Sequence, residues 1–253
     1  MNTIIYYTNN LLEENIFTKC RDKLIEAAGD IPIISVSQKP IELGTNICVG
    51  EIGSNWLSLY KQLLIGAEAA TTENICTAEH DCMYTHEHFS WTPPKNDVFY
   101  YNLNCYLVEW GGNHPELNGM YSTYWKRRLA LSQMICNREL LIKSIKERLV
   151  LLDGATRLTR EMIGIGEFGV TNERMVRKAQ EAARSGKPIQ LQSYIKDYLE
   201  KYTSETFKTE TPNLDIRHNK NFTGPKRGKN RTFNLPYWGE FKRIMENGTI
   251  SKT

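Results

Sequence analysis

Five segments in the first third of the chain alternate between two hydrophobic periods, and this alternation limits the fold more than any other feature. Ile4-Ile5-Tyr6-Tyr7 is a β-branched and aromatic run that stops at the turn signal Thr8-Asn9-Asn10. From Glu13 to Ala28 the apolar positions Ile16, Phe17, Leu24 and Ile25 follow a helical rhythm that Gly29 closes. Ile31 to Val36 reads as the next strand, Trp56 to Ala70 as the next helix and Asn74 to Ala78 as a third strand. A βαβαβ order demands a parallel sheet with right-handed crossovers. Ligands of such sheets bind outside the carboxyl ends of the strands. Thr8-Asn9, Ser37-Gln38-Lys39-Pro40 and Glu79-His80-Asp81 all fall at those ends, so three loops are predicted to converge on one crevice.

The third strand runs from an apolar interior straight into two acids flanking a histidine. An unpaired carboxylate at the mouth of a buried strand is costly, and a divalent cation is its natural partner. Oxygen and imidazole donors suit Mn²⁺ or Mg²⁺, and a metal held there would attract phosphate. Zinc competes, because His80, Cys82, His86 and His88 crowd into one short stretch. A second ligand pair at a distance is missing, which weighs against it.

Composition places the chain among ordinary globular proteins: 253 residues, 40% hydrophobic and 24% charged, are enough for a sizeable core. No apolar run approaches the roughly 18–20 residues of a membrane span, and no secretory start is visible, so no membrane anchor is expected. The six cysteines Cys20, Cys48, Cys76, Cys82, Cys105 and Cys136 contain no CxxC pair, which favours reduced thiols and a cytoplasmic setting over a disulfide framework. A net charge of +3 is too small to define a partner. Nothing in the pattern sets an oligomeric state.

The second half is less regular. Val98 to Trp110 is strand-like and aromatic, and Gly111-Gly112-Asn113-His114-Pro115 is a turn. Tyr124 to Leu152 reads as one long helix with Lys126, Arg127, Arg128, Lys143, Lys146 and Arg148 along it. The glycines from Gly164 to Gly169 break the pattern, and Arg174 to Arg184 and Ile189 to Tyr202 read as further helices. Asp215-Ile216-Arg217-His218 then leads into a Gly- and Lys/Arg-rich stretch from Asn219 to Arg231.

A βαβαβ half ending in Glu79-His80-Asp81, with Asp215-Ile216-Arg217-His218 far downstream, resembles the GT-A-type nucleotide-sugar glycosyltransferases. In that family a short acidic motif after a central strand, commonly Asp-x-Asp, binds a divalent metal that bridges the donor's two phosphates. A C-terminal histidine often completes the coordination. The resemblance implies an α/β, GT-A-like fold, with a Rossmann-like, mainly parallel sheet flanked by helices and a helical acceptor-side half. It divides one compact domain into a donor half (1–110), an acceptor-side half (111–211) and a C-terminal loop and tail (212–253). It implies Asp81, His218 and Glu79 as metal ligands, Glu79 standing where the family has an aspartate, with Mn²⁺ or Mg²⁺ as the ion and a UDP-sugar as co-substrate.

Around the nucleotide the candidates are Thr8, Asn9, Gln38, Lys39 and Lys61, with Lys220, Lys226, Arg227, Lys229 and Arg231 on a basic loop able to close over the phosphates. An inverting transfer needs a carboxylate base for the acceptor hydroxyl and a retaining one does not. Glu109, Glu116, Asp153, Glu161 and Glu167 are all available, and spacing selects none of them. Trp110, His114 and Tyr121 are candidates to stack on a sugar or base, and 85–91 reads as a loop that brings His88 or Trp91 near the sugar.

Glu79-His80-Asp81-Cys82 and the Asp215-Ile216-Arg217-His218 tail are similar to small glycosyltransferases of tailed phages, some of which modify hydroxymethylated pyrimidines, and the basic helix leaves room for a DNA acceptor. That similarity implies 5-hydroxymethylcytosine, or a related base in duplex DNA, as acceptor, with a saccharide or lipid-linked glycan as the alternative. A non-catalytic nucleotide-binding module stays open because Glu79 departs from the family's acid. A nucleotidyltransferase is disfavoured, since Tyr7-Thr8-Asn9-Asn10-Leu11 holds neither glycine nor a basic residue.

Overall fold

The computed structural model describes residues 1–112, 114–123, 129–153, 167–170, 181, 184–185, 198, 201–219, 221 and 229–247. In chain order the first half supplies β1 (Asn2–Thr8), α1 (Glu14–Ala28), β2 (Ile33–Ser37), β3 (Thr45–Cys48), α2 (Trp56–Ala69) and β4 (Asn74–Glu79). β1 is buried along its whole length because it lies in the middle of the sheet, parallel to β2 on one side and β4 on the other. Its alternate residues feed two cores. Ile5 and Tyr7 join Leu63 and Ala67 of α2 on one face, while Ile4 and Tyr6 join Leu24 and Ala28 of α1 on the other. α2 begins at Asn55, whose side chain accepts from the Leu57 and Ser58 amides while the Ser58 hydroxyl accepts from the Asn55 amide. This reciprocal cap fixes the start of the helix beside the ends of the strands. Further along, Gly66 lets the helix lie close: a Cβ there would stand 2.5 Å from Ile5 Cγ2.

The chain continues through β5 (Cys82–Met83), α3 (His86–Ser90), β6 (Val98–Asn102), β7 (Cys105–Glu109), β8 (Tyr121–Thr123), β9 (Met134–Asn137), α4 (Arg138–Leu152), β10 (Thr203–Phe207), β11 (Asn213–Arg217), β12 (Lys229–Thr232) and α5 (Phe241–Asn247). Seven strands form one sheet in the order β10-β6-β9-β4-β1-β2-β3. Its neighbours are parallel except at β9, which runs antiparallel to both β4 and β6. A second sheet has the order β12-β8-β7-β11-β5. The fold is therefore α/β, a Rossmann-like and mainly parallel sheet flanked by helices, as the alternating pattern predicts. Among the described residues no helix is long and apolar enough to cross a membrane.

The structure corrects four expectations. Val98 to Trp110 is two strands in two different sheets, because Asn102 turns the chain by accepting from the Asn104 amide at 2.9 Å. Of the segment expected to be helical from Tyr124, the described residues form an α-helix from Arg138. Met134–Asn137 is instead β9, whose Met134, Ile135 and Cys136 are fully buried, and Asn137 caps the helix by accepting from the Glu139 and Leu140 amides. The half-exposed edge strand β3 carries too little apolar pattern to be predicted. Residues 86–90 form α3 rather than part of a loop. The helices expected at 174–184 and 189–202 fall almost wholly outside the described residues.

α3 places His88 in the core, not near a sugar. Its ring stacks with Tyr84 at 5.6 Å and Phe207 at 6.0 Å, and the Asn102 amide stands 3.3 Å from Nδ1. Trp91 stacks on Phe207 at 3.9 Å. Burial pushes the His88 pKa down to about 3, so the folded imidazole stays neutral where an unfolded one, near about 6.5, binds a proton. The unfolded state therefore takes up the extra proton, and stability falls as pH drops from about 6.5 towards 3, by up to ~1.4 kcal/mol per pH unit. Urea unfolding at a series of pH values is expected to show this slope reduced by one proton in His88→Phe. Equal slopes in the two proteins would mean that His88 is protonated within the fold.

Candidate functional site

The acidic motif sits where the chain leaves one sheet for the other. β4 belongs to the first sheet and β5 to the second, so His80 and Asp81 lie at the step between them. β11 pairs with β5 and stands beside that step, its Ile216 amide donating to the Asp81 carbonyl at 2.8 Å. Strand alternation along β11 turns Leu214 and Ile216 into the core and leaves Asp215 and Arg217 at the cavity. His218 follows directly and reaches Asp81, with 3.3 Å between Nε2 and Oδ2. Asn221 closes the turn: its side chain donates to Asp81 Oδ2 at 2.8 Å and accepts from the His218 amide at 2.6 Å.

One cavity of about 190 Å³ gathers these ends. Tyr7, Thr8 and Asn9 come from the end of β1, and Glu79, His80 and Asp81 from the end of β4. Ser54, Trp56 and Gln62 come from the start of α2, while Asp215, Arg217 and Asn221 follow from β11. Gln62 ties the strand ends together, donating to the Thr8 carbonyl at 2.8 Å and the Val36 carbonyl at 2.9 Å. The Thr8 hydroxyl lies 2.7 Å from His80 Nδ1, and the Asn9 amide donates to Ser54 Oγ at 2.8 Å.

The donor atoms of His80, Asp81 and His218 all lie within 4.8 Å of one another. Neighbouring ligands of one ion, each bound at about 2.1 Å, stand roughly 3 Å apart, so the Asp81–His218 spacing fits a shared cation. Protonation states agree. Burial alone would raise the Asp81 pKa, but the hydrogen bond from His218 and the charges of His80, His218 and Arg217 outweigh it and hold the carboxyl below its ordinary value. Burial lowers the His80 pKa despite the opposing pull of Asp81, which favours the neutral form. An ionised carboxylate and a neutral imidazole are what a divalent ion requires. Two imidazoles with one carboxylate suit Mn²⁺ better than Mg²⁺, which prefers oxygen throughout.

Glu79 behaves differently. Burial, and next the charge of Asp81, push its pKa up to about 8, and it accepts a hydrogen bond from the Tyr7 hydroxyl. It belongs to a second group with Asp81 and Cys82, but burial holds the Cys82 thiol protonated. His80, Asp81 and His218 are thus the better donor set. Of the residues that raised the zinc alternative, only His80 borders the cavity: His86 Nδ1 is 2.9 Å from the Ala27 carbonyl and His88 is in the core.

Thr8, Asn9, Glu79, Asp81 and Glu167 border the cavity, and His218 stands against Asp81. Gln38 is a brace instead: it donates to the Gly53 carbonyl and accepts from the Ile52 amide, holding the loop that delivers Ser54 and Asn55. Lys39 is exposed, with its backbone amide on Asn10, and Lys61 is exposed on α2. Neither borders the cavity. Glu109 ends β7, Glu116 pairs with His114 at 3.1 Å and Asp153 stands exposed after α4, all away from it. Trp110 packs on Phe241 at 5.5 Å and Tyr121 is buried, so neither offers a stacking face there. Lys229 and Arg231 lie on exposed β12. Glu161, Lys220, Lys226 and Arg227 lie outside the described residues. Asp215, Arg217, Asn221 and Trp56 were not foreseen. The alternation in Leu214-Asp215-Ile216-Arg217 was the available signal for two of them.

No protein-family model and no curated protein matches the chain. Solved structures do match. One is a glycosyltransferase involved in the glycosylation of the major capsid of PBCV-1, 9% identical, covering 85% of this chain and 91% of that one, with a TM-score of 0.43. Another is a mutant β-1,4-galactosyltransferase 7 from Drosophila in complex with manganese, UDP-Gal and xylobiose, 12% identical, covering 100% of this chain and 82% of that one, with a TM-score of 0.36. A third is the bifunctional IspDF from Campylobacter jejuni, 9% identical, covering 83% of this chain and 50% of that one, with a TM-score of 0.36. All are remote likenesses, and the chemistry rests on this chain's own side chains.

Proposed function

We propose that this protein is a metal-dependent glycosyltransferase that moves a sugar from a nucleoside diphosphate-sugar, a UDP-sugar, to an acceptor hydroxyl. The convergence of His80, Asp81 and His218, the first two on the wall of a cavity at the strand ends and the third against Asp81, carries the reading. A Mn²⁺ ion held by these three residues would act as a Lewis acid on the departing diphosphate. The chain's own groups do the rest. Trp56 offers an aromatic face for the base, and Thr8, Asn9 and Ser54 offer hydrogen bonds to base or ribose. Arg217, buried beside Asp215 at 3.4 Å, adds a fixed positive charge where the phosphates would lie.

The described part of the basic segment that motivated a DNA acceptor supports a saccharide instead; Lys126, Arg127 and Arg128 lie outside the described residues. A duplex needs an open row of cations to follow its phosphates. On α4, Arg148 is buried, Lys146 pairs with Glu68 at 2.7 Å, Arg138 pairs with Glu139 and Lys143 lies in the field of Glu147. A hydroxyl of a saccharide asks for no such row.

Calorimetry with UDP, with Mn²⁺ and with EDTA, tests the reading, followed by mass spectrometry of a nucleotide-sugar panel. UDP is expected to bind at least about tenfold more tightly with the metal, a gain of about 1.4 kcal/mol. Equal affinity in the two conditions would remove the metal mechanism. Metal-dependent binding without turnover of any donor would leave a binding module. Offering both a saccharide panel and a hydroxymethylcytosine duplex decides the acceptor by which one gains the mass of a sugar.

A further inference from the structure

Four acids border the cavity: Glu79, Asp81, Asp215 and Glu167. Three of them come from β4, the step after it and β11, which build the metal centre. Asp81 is a ligand in the proposed centre, Glu79 accepts from Tyr7, and Asp215 faces Arg217. Glu167 arrives from elsewhere, on the segment 167–170 in the glycine-rich stretch whose purpose the sequence leaves open.

That segment is held by three independent contacts. Phe168 is fully buried, its ring 5.2 Å from Phe99 and 5.7 Å from Tyr60, with the Arg148 guanidinium 4.0 Å from its centroid. Tyr101 donates its hydroxyl to the Phe168 carbonyl at 2.8 Å. Gly169, at φ +70°, lies so close to β10 that a Cβ would stand 2.4 Å from the Thr203 carbonyl oxygen. Glycine is required twice over, by the backbone angle and by the space. The residue preceding this anchor is therefore delivered to a fixed place on the cavity wall. Glu167 itself is half-buried, shielded enough to be positioned and open enough to pass a proton to solvent.

We propose that Glu167 is the general base of the transfer and that the sugar is delivered with inversion at its anomeric carbon; this rests on the glycosyltransferase reading. The acceptor hydroxyl gives its proton to a Glu167 carboxylate oxygen while the hydroxyl oxygen forms a bond to the anomeric carbon on the face opposite the leaving group. The bond from that carbon to the diphosphate oxygen breaks, and its electron pair leaves with the nucleoside diphosphate. Glu167 then releases the proton to water, and no oxidant or further reactant is needed.

The test uses the full chain with Mn²⁺ and UDP-sugars, with water as the acceptor until a better one is found. Glu167→Gln is expected to lower kcat for donor turnover by about 10²–10⁴-fold while leaving Mn²⁺-dependent UDP affinity and the donor KM within a few-fold. Proton NMR of the first product formed by the unmodified protein is expected to show the anomer opposite to the donor's. A Glu167→Gln variant with near-normal turnover, or a product that keeps the donor's configuration, overturns the assignment and leaves the transferase reading standing. Loss of Mn²⁺-dependent UDP binding in the unmodified protein, or binding with no turnover of any donor, overturns both.

Discussion

Asp81→Asn is expected to lower donor turnover by about 10³-fold or more and to abolish the Mn²⁺-dependent part of UDP affinity, with far-ultraviolet circular dichroism unchanged. The substitution keeps the size and planarity of the side chain and removes only its charge. Asp81 is the carboxylate of the proposed donor set, so its charge gives the cation a counterion that imidazole nitrogens cannot supply. Asn221 already donates to Oδ2 at 2.8 Å, and an amide oxygen at that position accepts the same bond, which is why the fold should survive. A second readout separates the electrostatic claim from a general loss of function. The Asp81 charge ranks just behind burial in raising the Glu79 pKa to about 8, so the variant should titrate Glu79 at a lower pH by carboxyl NMR. A variant that still binds UDP in a Mn²⁺-dependent way, within a few-fold of normal, would place the metal elsewhere.

The part of the site built by local pattern was legible in the sequence, and the part built by distant pairing was not. A buried strand that ends in acids announces itself, and the βαβαβ order predicts that Thr8-Asn9 lies beside Glu79-His80-Asp81. Both stand on the cavity. Gln38 sat at a correct strand end and was still misjudged, because whether an amide faces a ligand or braces a loop depends on Gly50–Ser54, a connection with no period to read. His218 follows from a resemblance, whereas Asp215 and Arg217 beside it carry only the weak signal of strand alternation, and the pairing of β11 with β5 and β7 fixes the face they occupy. The basic residues of α4 show the opposite failure. Their sequence reads as one basic helix, whereas packing buries Arg148 and pairs Lys146 with Glu68.

Arg148→Ala is expected to lower stability by about 3–5 kcal/mol, and Arg148→Met by less, as read by the urea midpoint. The guanidinium sits inside the core, where a charge survives only with dense partners. Its Nε donates to the Tyr198 hydroxyl at 2.8 Å and Nη1 to the Tyr60 hydroxyl at 2.6 Å, and the ring of Phe168 lies 4.0 Å away. Alanine leaves a cavity and removes the charged donor from two phenols. Methionine fills the space and removes the desolvation cost of the charge, so the gap between the variants measures packing, and the residue left in Arg148→Met measures the hydrogen bonds and the cation–π contact. Either variant unfolding at the midpoint of the unmodified protein would show that the guanidinium contributes nothing there. The same substitution reaches the chemistry by a stated route. Arg148 holds Phe168, and Phe168 holds Glu167 at the cavity. Folded Arg148→Met should therefore bind UDP and Mn²⁺ normally and turn over slowly, a split between affinity and rate that loss of the metal centre cannot produce.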